Sequence, residues 1–386
     1  MRVLVVSPHP IFPLSHGGRV RTFGLASGLA RAGAAVDLIG PWSPGQPLHT
    51  QVRNGVRCRA RAFATAPLLA LSDDVLPSSL PYSWEARLPL AAPLLRGTET
   101  YDVVQVEMAG GGSWFERAVG SPARVYDAHN VESDFARERA AGSSLRQSVS
   151  RRVAELERRV VQSSDLVVTC TESDADRLAE LYGPENRTAA LPNGFDDALL
   201  QLDRLALRAP ARERLGARPD ERLLLFVGGA ADHNLVAVRM LERMLVPRLR
   251  PGTRLVVAGK ASRALRSREP AVTALGYVPD MGELLAAADV ALNPVTYGSG
   301  SNVKVAEYLV AGLSVVSSPV GARGFERWSD RIRLAEPAEL AAAVEDVPEP
   351  SGPPPGIEEL AWSSVGRRLH DRYRALLEER SQTPAS

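Results

Sequence analysis

The stretch NPVTYGSGSNVKVAEYLVAGLSVVSSPVGARG, residues 293–324, is the most informative part of the chain. The sequence predicts a buried strand that ends at Asn293 or Pro294, a loop of glycine and serine, and a helix that begins near Ser301 or Asn302. Serine and asparagine both suit a helix N-cap. The run LSVVSS then predicts another buried strand, so strand, helix and strand follow one another directly.

The same alternation of buried strand and helix runs through both halves of the chain. The strand-like runs lack polar and apolar alternation, which indicates that both faces are buried, as in a parallel sheet covered by helices. In the first half these runs are RVLVV (2–6), VDLIG (36–40), DVVQV (102–106), RVYDA (124–128) and DLVVTC (165–170). In the second half they are RLLLFVG (222–228), RLVVAG (254–259), ADVALN (288–293) and LSVVSS (313–318). The sequence therefore predicts an α/β protein with two doubly wound domains.

The domain boundary is predicted from the point where this pattern restarts. A segment rich in Arg, Ala and Pro separates the two sets of strands, which gives one domain at residues 1–195 and a second at 196–356. The connector VPEPSGPPPG at the end of the second domain cannot be helical. Residues 357–386 follow it and begin with a terminal helix. Its apolar side chains near one face are Leu360, Val365, Leu369, Tyr373 and Leu376.

Composition indicates an ordinary globular protein, with 45% apolar and 24% charged residues in a chain of 386. The formal net charge of +1 gives no reason to expect a nucleic-acid partner. The two cysteines, Cys58 and Cys170, make neither a disulfide framework nor a metal-type spacing. No signal peptide is recognisable, and no run approaches the ~20 apolar residues of a membrane span. We therefore expect a cytoplasmic protein without a metal site.

Two charged residues stand out in the helix of the 293–324 stretch. Lys304 lies in the first turn, where the helix dipole disfavours a cation, and a bound polyphosphate would remove that penalty. Glu307 lies deeper among apolar neighbours and needs a partner, which two vicinal ribose hydroxyls would supply. The alternative is a solvated helix face that follows a flexible loop.

Two further candidates lie in the first half. Gly17 and Gly18 stand just before a helix, whose free N–H groups and partial positive charge suit a phosphate. The alternative is a flexible turn, and the spacing differs from the GxGxxG dinucleotide pattern. His129 follows a buried strand, where open α/β sheets keep their sites. It could bind a substrate, or it could be a structural histidine bonded to backbone.

Several motifs, taken together, resemble one family. They are LPNGFD (191–196), FVGG (226–229), LVVAGK (255–260), GYVPD (276–280) and KVAEYLVAGLSVVSSPVGARG (304–324), with HGGRVRTFGLASGLARAG and DAHNVES in the first half. This set resembles the GT-B glycosyltransferases, specifically glycosyltransferase family 4. The resemblance implies two Rossmann-like domains that face a cleft, with the C-terminal helix crossing back to the first domain. It also implies a retaining transfer of sugar from a nucleoside-diphosphate sugar to an acceptor, without a cofactor or an essential metal.

The resemblance also implies roles for individual residues. Glu307 would bind the donor ribose, Tyr277 and Val278 the base, and His129 and Lys304 would be the catalytic residues. The remaining donor-binding positions are Gly17, Gly18, Gly228, Gly229, Gly298, Ser299, Gly300, Ser301, Asn302 and Val303. Ser299 stands where the family usually has a glutamate that contacts the transferred sugar. The Gly228–Asn234 loop lacks the Arg and Lys that many relatives carry there, and Lys304 matches a subgroup that replaces them.

Other interpretations stay open at this point. The acceptor could be a glycan, a lipid carrier or a small molecule. The chain could instead be a sugar-nucleotide epimerase or a phosphorylase of the same fold, or a non-catalytic nucleotide- or glycan-binding protein. The basic segment 137–164 has Val149, Val153, Leu156 and Val160 at helical spacing. Its arginines could contact the inner face of a membrane, or they could form a solvated face.

Overall fold

The computed structural model divides the chain into two compact units. The first comprises Met1–Leu14, Gly18–Pro192 and Trp362–Ser386, and the second comprises Ser15–Gly17 and Asn193–Ala361. The residues that the structure describes are 1–42, 50–61, 63–64, 80, 83–84, 100–140, 144–183, 187–278, 280–298, 300–348 and 351–382.

The unit boundaries differ slightly from those expected at 195/196 and 356/357. Phe195 forms an isolated parallel bridge with Ala361, and its N–H donates to the carbonyl of Leu360. Both Phe195 and Leu360 are buried in the core of the second unit. The second unit therefore keeps the chain from Asn193 to Ala361.

A single eight-stranded sheet forms the centre of the first unit among its described residues. Its strands are β1 (Arg2–Val6), β2 (Ala35–Pro41), β3 (Gln51–Arg53), β4 (Val56–Arg61), β5 (Val103–Glu107), β6 (Ala123–Ala128), β7 (Leu166–Thr169) and β8 (Thr188–Ala190). The spatial order is β3-β4-β2-β1-β5-β6-β7-β8, and only the β3–β4 pair is antiparallel. The buried runs of the sequence correspond to five of these strands.

The second unit is built on a parallel sheet in its described part. Its strands are β9 (Arg222–Val227), β10 (Thr253–Ala258), β11 (Val272–Gly276), β12 (Val290–Asn293), β13 (Ser314–Ser317) and β14 (Ile332–Leu334). The spatial order is β11-β10-β9-β12-β13-β14. After β11 the chain returns to the other side of β9, so the strand order reverses between β9 and β12.

Helices connect the strands of both sheets. They are α1 (Gly17–Arg31), α2 (Gly112–Phe115), α3 (Glu132–Glu138), α4 (Ser144–Ser163), α5 (Glu172–Tyr182), α6 (Arg204–Arg214), α7 (Asp232–Met240), α8 (Met281–Ala287), α9 (Val303–Val310), α10 (Leu340–Glu345) and α11 (Trp362–Gln382). The basic segment predicted at 137–164 contains the end of α3 and the whole of α4. None of the described helices is both long and apolar enough to cross a membrane.

The terminal helix α11 packs into the core of the first unit. Gly28 of α1 and Gly366 of α11 approach so closely that a Cβ on Gly366 would lie 2.3 Å from the Cα of Gly28. The predicted helix start at residue 357 is wrong, because Ile357–Leu360 form a separate 3₁₀ turn and Ala361 is extended. Leu360 accordingly belongs to the core of the second unit, whereas the other four predicted side chains are buried in the first.

Candidate active site

The second unit brings two loops together at the carboxyl edge of its sheet. β9 ends at Val227 and β12 ends at Asn293, and these strands are direct neighbours. Open α/β sheets bind ligands where the strand order reverses in this way. α7 follows the first loop and α9 follows the second, so residues of both helices can meet at this edge.

Lys304 lies in the first turn of α9 and is held by the loop that follows β9. Its Nζ donates a 2.7 Å hydrogen bond to Oδ1 of Asn234 and lies 4.4 Å from the centroid of the Phe226 ring. A Cβ on Gly228 would come within 2.9 Å of the same ring, so this packing requires glycine. Burial lowers the pKa of Lys304 to about 7, although the charge of Glu307 acts in the opposite direction.

Glu307 lies one turn further along α9 and has no comparable anchor. Its side chain is half-buried, and within the described ranges its carboxylate makes no hydrogen bond or ion pair. Burial raises the pKa of Glu307 to about 7, against the effect of the Lys304 charge. Val305 and Ala306 beside it are fully buried in the apolar core. The carboxylate therefore stands at the edge of an apolar helix face and is open to a ligand.

The glycine loop before α9 has a backbone that other residues would strain. Gly298 has φ of 115° and Gly300 has φ of 75°, both in the region that favours glycine. Arg323 donates a 2.9 Å hydrogen bond to the carbonyl of Gly298. Ser299, predicted as a donor-binding position, lies outside the described residues.

The start of α9 differs in one respect from the expected side-chain cap. Asn302 is the N-cap residue, but its side chain makes no capping bond among the described residues. Its Nδ2 instead donates to the carbonyl of Gly321 at 3.5 Å. Ser301 is held through its carbonyl, which accepts a 2.7 Å hydrogen bond from Nδ2 of Asn193. The side chain of Asn302 thus leaves the first N–H groups of α9 uncapped.

The predicted glycines Gly17 and Gly18 lie on a separate segment of the chain from Gly229. Gly17 and Gly18 lie within the first turn of α1 and not before it, and the division between the units falls between them. Within the second unit, a Cβ on Gly17 would lie 3.7 Å from Cγ2 of Val303, and one on Gly229 would lie 3.1 Å from the carbonyl oxygen of Ser15.

Tyr277 and Val278 follow β11, at the side of the sheet beyond β10. The Tyr277 side chain is 61% exposed, whereas Val278 packs against the core. In the part of the chain that the structure describes, no hydrogen bond or ring contact joins Tyr277 to Lys304 or Glu307.

A second cluster of charged side chains lies at the carboxyl edge of the sheet in the first unit. Glu107 ends β5, Asp127 is in β6, and His129 directly follows β6. Nε2 of His129 lies 2.5 Å from Oε2 of Glu107 and 3.4 Å from Oδ2 of Asp127. All three side chains are at least nine-tenths buried. His129 is therefore bonded to carboxylates, and this sets its charge.

Arg21 of α1 neutralises Asp127 within this cluster. Its Nε donates to Oδ2 of Asp127 at 3.0 Å and its Nη2 donates to Oδ1 at 2.7 Å. Nη1 of Arg21 donates to the carbonyl of Leu191 at 2.9 Å. The Arg21 side chain is 1% exposed, so this ion pair is shielded from water. Burial acts to raise the pKa of Asp127, but Arg21 and His129 hold it below its usual range.

Three side chains from the described part of the first unit lie within hydrogen-bond distance of the Glu107 carboxylate. Nε2 of His129 lies 2.5 Å from Oε2, and Gln105 donates to Oε1 at 2.7 Å. The Thr22 hydroxyl lies 3.0 Å from Oε2 and 3.0 Å from the carbonyl oxygen of Gly18, which compete for its one proton. The hydroxyl of Tyr373 in α11 donates in turn to Oε1 of Gln105. The network therefore runs from the terminal helix to His129.

The environment of His129 favours its protonated form. Burial acts to lower the pKa of His129, but hydrogen bonds and charge interactions with Asp127 and Glu107 outweigh it and raise this pKa to about 9. Burial and the charge of Asp127 raise the pKa of Glu107, and His129 acts in the opposite direction. Burial also acts against the charge of Arg21, but Asp127 raises the pKa of that guanidinium.

Comparison with known proteins identifies the family. Residues 16–194 match the family described as "Glycosyl transferase 4-like domain", and residues 221–349 match "Glycosyl transferases group 1". A D-inositol 3-phosphate glycosyltransferase from Geodermatophilus obscurus is 31% identical over 321 residues, with 76% of this chain and 68% of that protein covered. The chain belongs to the group 1 glycosyl transferases. Its activity is glycosyl transfer, as the resemblance predicted.

Solved structures confirm the GT-B fold for this group 1 glycosyl transferase. Sucrose-phosphate synthase from Thermosynechococcus elongatus has a TM-score of 0.67 at 16% identity, over 99% of this chain and 98% of that one. HepE from Anabaena in complex with UDP-glucose has a TM-score of 0.58 at 16% identity, with 99% and 98% covered. The comparisons do not favour an epimerase, a phosphorylase or a non-catalytic binding protein.

The sequence did not identify the partners of His129 in this glycosyl transferase. Arg21 and Asp127 are separated by 106 residues and meet only because of the strand order. Glu107 and Asp127 could have been noticed because each is a carboxylate within or at the end of a mostly apolar strand, as in DVVQVE and RVYDA. Lys304 also stands out because lysine is rare in this sequence, where Lys260 is the only other one.

The cluster in the first unit also has atoms of the type that bind metals. One atom each from Glu107, Asp127 and His129 lies within 4.8 Å of the others. The oxygens of Asp127 accept from Arg21, and those of Glu107 accept from Thr22 and other neutral or cationic donors. Protein donors thus already satisfy these carboxylates, and none of the three residues is assigned as a metal ligand.

Proposed function

We propose that this glycosyl transferase takes its sugar from a nucleoside-diphosphate sugar bound at the carboxyl edge of the second unit. The observation that carries the proposal is the state of Lys304 and Glu307. The amine is held by Asn234 at 2.7 Å, and the carboxylate three residues later has no protein partner among the described residues. Residues three apart share a helix face, so the two side chains can reach adjacent parts of one nucleotide.

In this proposal, each side chain binds a different part of the donor. Glu307 accepts hydrogen bonds from two ribose hydroxyls, which replaces the partner that a half-buried carboxylate requires. Lys304 contacts the diphosphate. The N-terminus of α9 adds partial positive charge and backbone N–H groups that the Asn302 side chain leaves uncapped. Gly298 and Gly300 allow the loop backbone to approach the phosphates.

In line with the family resemblance, the proposed chemistry is transfer with retention and without a metal. The bond between the anomeric carbon and the phosphate oxygen breaks, and a bond to the acceptor oxygen forms on the same face of the sugar. The acceptor hydroxyl gives its proton to the departing phosphate. Lys304 and the helix N-terminus stabilise the negative charge that develops on the leaving group, which is the role a metal would otherwise have.

The first unit would bind the acceptor, with His129 at the reacting centre. The acceptor class stays open, because a glycan, a lipid carrier and a small molecule all present hydroxyl groups. Contact of α4 with an anionic membrane stays a prediction. Arg151 and Arg152 are exposed on α4, but Glu155 pairs with the exposed Arg158 and Arg159 at 2.6 and 2.7 Å. This pairing favours a solvated face.

Thermal stability in a panel of nucleoside-diphosphate sugars tests the proposal. A ligand at 100 times its Kd stabilises a protein by about 2.7 kcal/mol. We expect stabilisation by at least one panel member, together with slow release of nucleoside diphosphate that excess EDTA does not abolish. HepE supplies a first probe, since it was solved with UDP-glucose. If no nucleotide sugar stabilises the protein, the donor assignment fails; if EDTA stops release and Mg²⁺ restores it, the metal-free mechanism fails.

A further inference from the structure

The hydrogen bonds around Glu107 connect the terminal helix to the carboxylate beside His129. The Tyr373 hydroxyl donates to Oε1 of Gln105, which turns the Gln105 amide so that its Nε2 donates to Oε1 of Glu107 at 2.7 Å. The Thr22 hydroxyl lies 3.0 Å from Oε2 of the same carboxylate. The single Thr22 proton is shared between this oxygen and the carbonyl of Gly18, also at 3.0 Å. The amide N–H of Gln105 is therefore the donor that suits an ionised Glu107, since an ionised carboxylate only accepts hydrogen bonds.

The position of the His129 ring also indicates that this carboxylate–histidine pair is charged. Its Nε2 lies 2.5 Å from Oε2 of Glu107 and 3.4 Å from Oδ2 of Asp127. A neutral ring with a lone pair on Nε2 would direct that lone pair at two carboxylate oxygens. A proton on Nε2 directs an N–H at them, which is a charge-assisted hydrogen bond. Because the cluster holds two buried carboxylates, Glu107 and Asp127, and Arg21 pairs with Asp127, a second proton on the ring would balance the remaining negative charge.

We propose that Glu107 is a positioning residue that holds His129 as an imidazolium. His129 then serves glycosyl transfer as a fixed positive charge and hydrogen-bond donor, and not as a general base. Only the link to transfer rests on the proposed function; the charge state of His129 is a property of the first unit. Glu107 touches no substrate in this proposal, since its carboxylate is fully buried behind the histidine.

Charged and titratable groups from several described elements of the first unit face His129. They include Arg21 of α1, Glu107 of β5, Asp127 of β6 and Cys170 after β7, whose Sγ lies 3.4 Å from the carbonyl oxygen of His129. Tyr373 acts one step away, through Gln105. The positive charge of Arg21 balances the negative charge of Asp127. In the proposal, the positive charge of the imidazolium likewise balances that of Glu107, so the net charge of these four side chains is zero. Asp127 and Glu107 raise the pKa of His129 to about 9, against the effect of burial.

Histidine NMR titration of the full chain tests the charge state directly. The chain has six histidines, and loss of one signal in His129→Asn assigns the resonance. We expect His129 to titrate at about 9. In Glu107→Gln its midpoint should fall by more than one unit, toward the ordinary value of about 6.5. A wild-type midpoint near 6.5 overturns the proposal without any variant, so the test survives a Glu107 variant that fails to fold.

Glu157→Gln is the matched control for this titration. Glu157 is also a buried carboxylate of the first unit, and it accepts from the backbone N–H groups of Glu132 and Ser133. We expect this variant to lower thermal stability and to leave the His129 midpoint unchanged. An equal shift in both variants would mean general loosening of the unit and would contradict a specific role for Glu107.

The pH profile of transfer connects the charge state to activity. In the wild type, titration of His129 should not change kcat/KM between pH 6 and pH 8. In Glu107→Gln, kcat/KM should fall about tenfold more than in the wild type over the same range, as His129 loses its proton. If donor binding fails while His129 still titrates near 9, the proposed function is wrong and the role of Glu107 stands. If the two profiles coincide, His129 does not act as a cation in transfer.

Discussion

Glu107 and His129 in the first unit are bonded at 2.5 Å, whereas Glu307 and Lys304 in the second unit form no ion pair within the described ranges. Both are carboxylate–cation pairs at the carboxyl edge of a parallel sheet. The first pair is buried and surrounded by protein donors. The second is half-buried, and only its amine is anchored, by Asn234.

This difference has an electrostatic consequence. Hydrogen bonds and charges outweigh burial around His129, and its pKa rises to about 9. Burial prevails around Lys304 and Glu307, and both pKa values move to about 7. His129 therefore keeps its proton over the neutral range, whereas the open pair, Lys304 and Glu307, is poised to gain its charges when a ligand arrives. The comparison therefore assigns a fixed role to the first pair and a binding role to the second.

Removal of Glu307 should have the largest effect. Each hydrogen bond to a charged group contributes roughly 1.5–3 kcal/mol, so loss of two bonds to the ribose should weaken nucleoside-diphosphate binding by roughly two to four orders of magnitude. Titration calorimetry of Glu307→Ala with the nucleotide found in the donor screen measures this loss. The matched control is Glu283→Ala, which removes a partly exposed carboxylate of α8 that pairs with Arg214. Unchanged affinity in folded Glu307→Ala would refute the ribose assignment.

Removal of the Lys304 charge should have the next largest effect, and it should appear in kcat. A contact that strengthens as the phosphate departs lowers kcat and kcat/KM together when it is lost. We expect Lys304→Met to reduce kcat at saturating donor by at least about tenfold, or about 1.4 kcal/mol. Lys260→Met is a close control, because Lys260 is the only other lysine and is exposed. Wild-type kcat in Lys304→Met would leave Arg323, which bonds to Gly298, as the next candidate.

The two pairs also differ in how well the sequence could reveal them. Lys304 and Glu307 lie on one helix, so helical spacing alone places them side by side. Glu107 and Asp127 meet His129 through the lateral order of β5 and β6, and Arg21 reaches them from α1. A single sequence contains no such long-range pairing. The sequence therefore indicated the local arrangement of Lys304 and Glu307 on one helix and missed the network of Glu107, Asp127 and Arg21, whose contacts are long-range.

The same distinction holds for the strands. Nine were predicted because runs such as RVLVV are apolar on both faces. β4 was missed because its sequence VRCRAR alternates with arginine, and Arg57 and Arg59 pair with Asp37. β3, β8 and β14 have only three residues each. β11 is not fully buried at any position, so it lacks the continuous apolar run that marked the others.

The smallest expected effect is the pH dependence of donor affinity, which separates the two pairs most directly. If the diphosphate requires protonated Lys304, binding takes up a proton above pH 7, and affinity falls as pH rises through the free pKa of about 7. If the ribose requires ionised Glu307, binding releases a proton below pH 7, and affinity falls as pH decreases through its free pKa of about 7. Affinity should therefore peak near neutrality.

The limbs of this profile can be assigned to single residues. For one group with a pKa of about 7, affinity should weaken about fivefold between pH 7 and pH 8. Lys304→Met should abolish the alkaline limb, and Glu307→Gln should abolish the acidic limb. The midpoints belong to the coupled pair and not to either residue alone. His129 should not contribute, because it keeps its proton up to about pH 9. Calorimetry from pH 6 to pH 8 measures the profile. A level profile would mean that the open pair is already charged before the donor binds, and the contrast between the two pairs would then be lost.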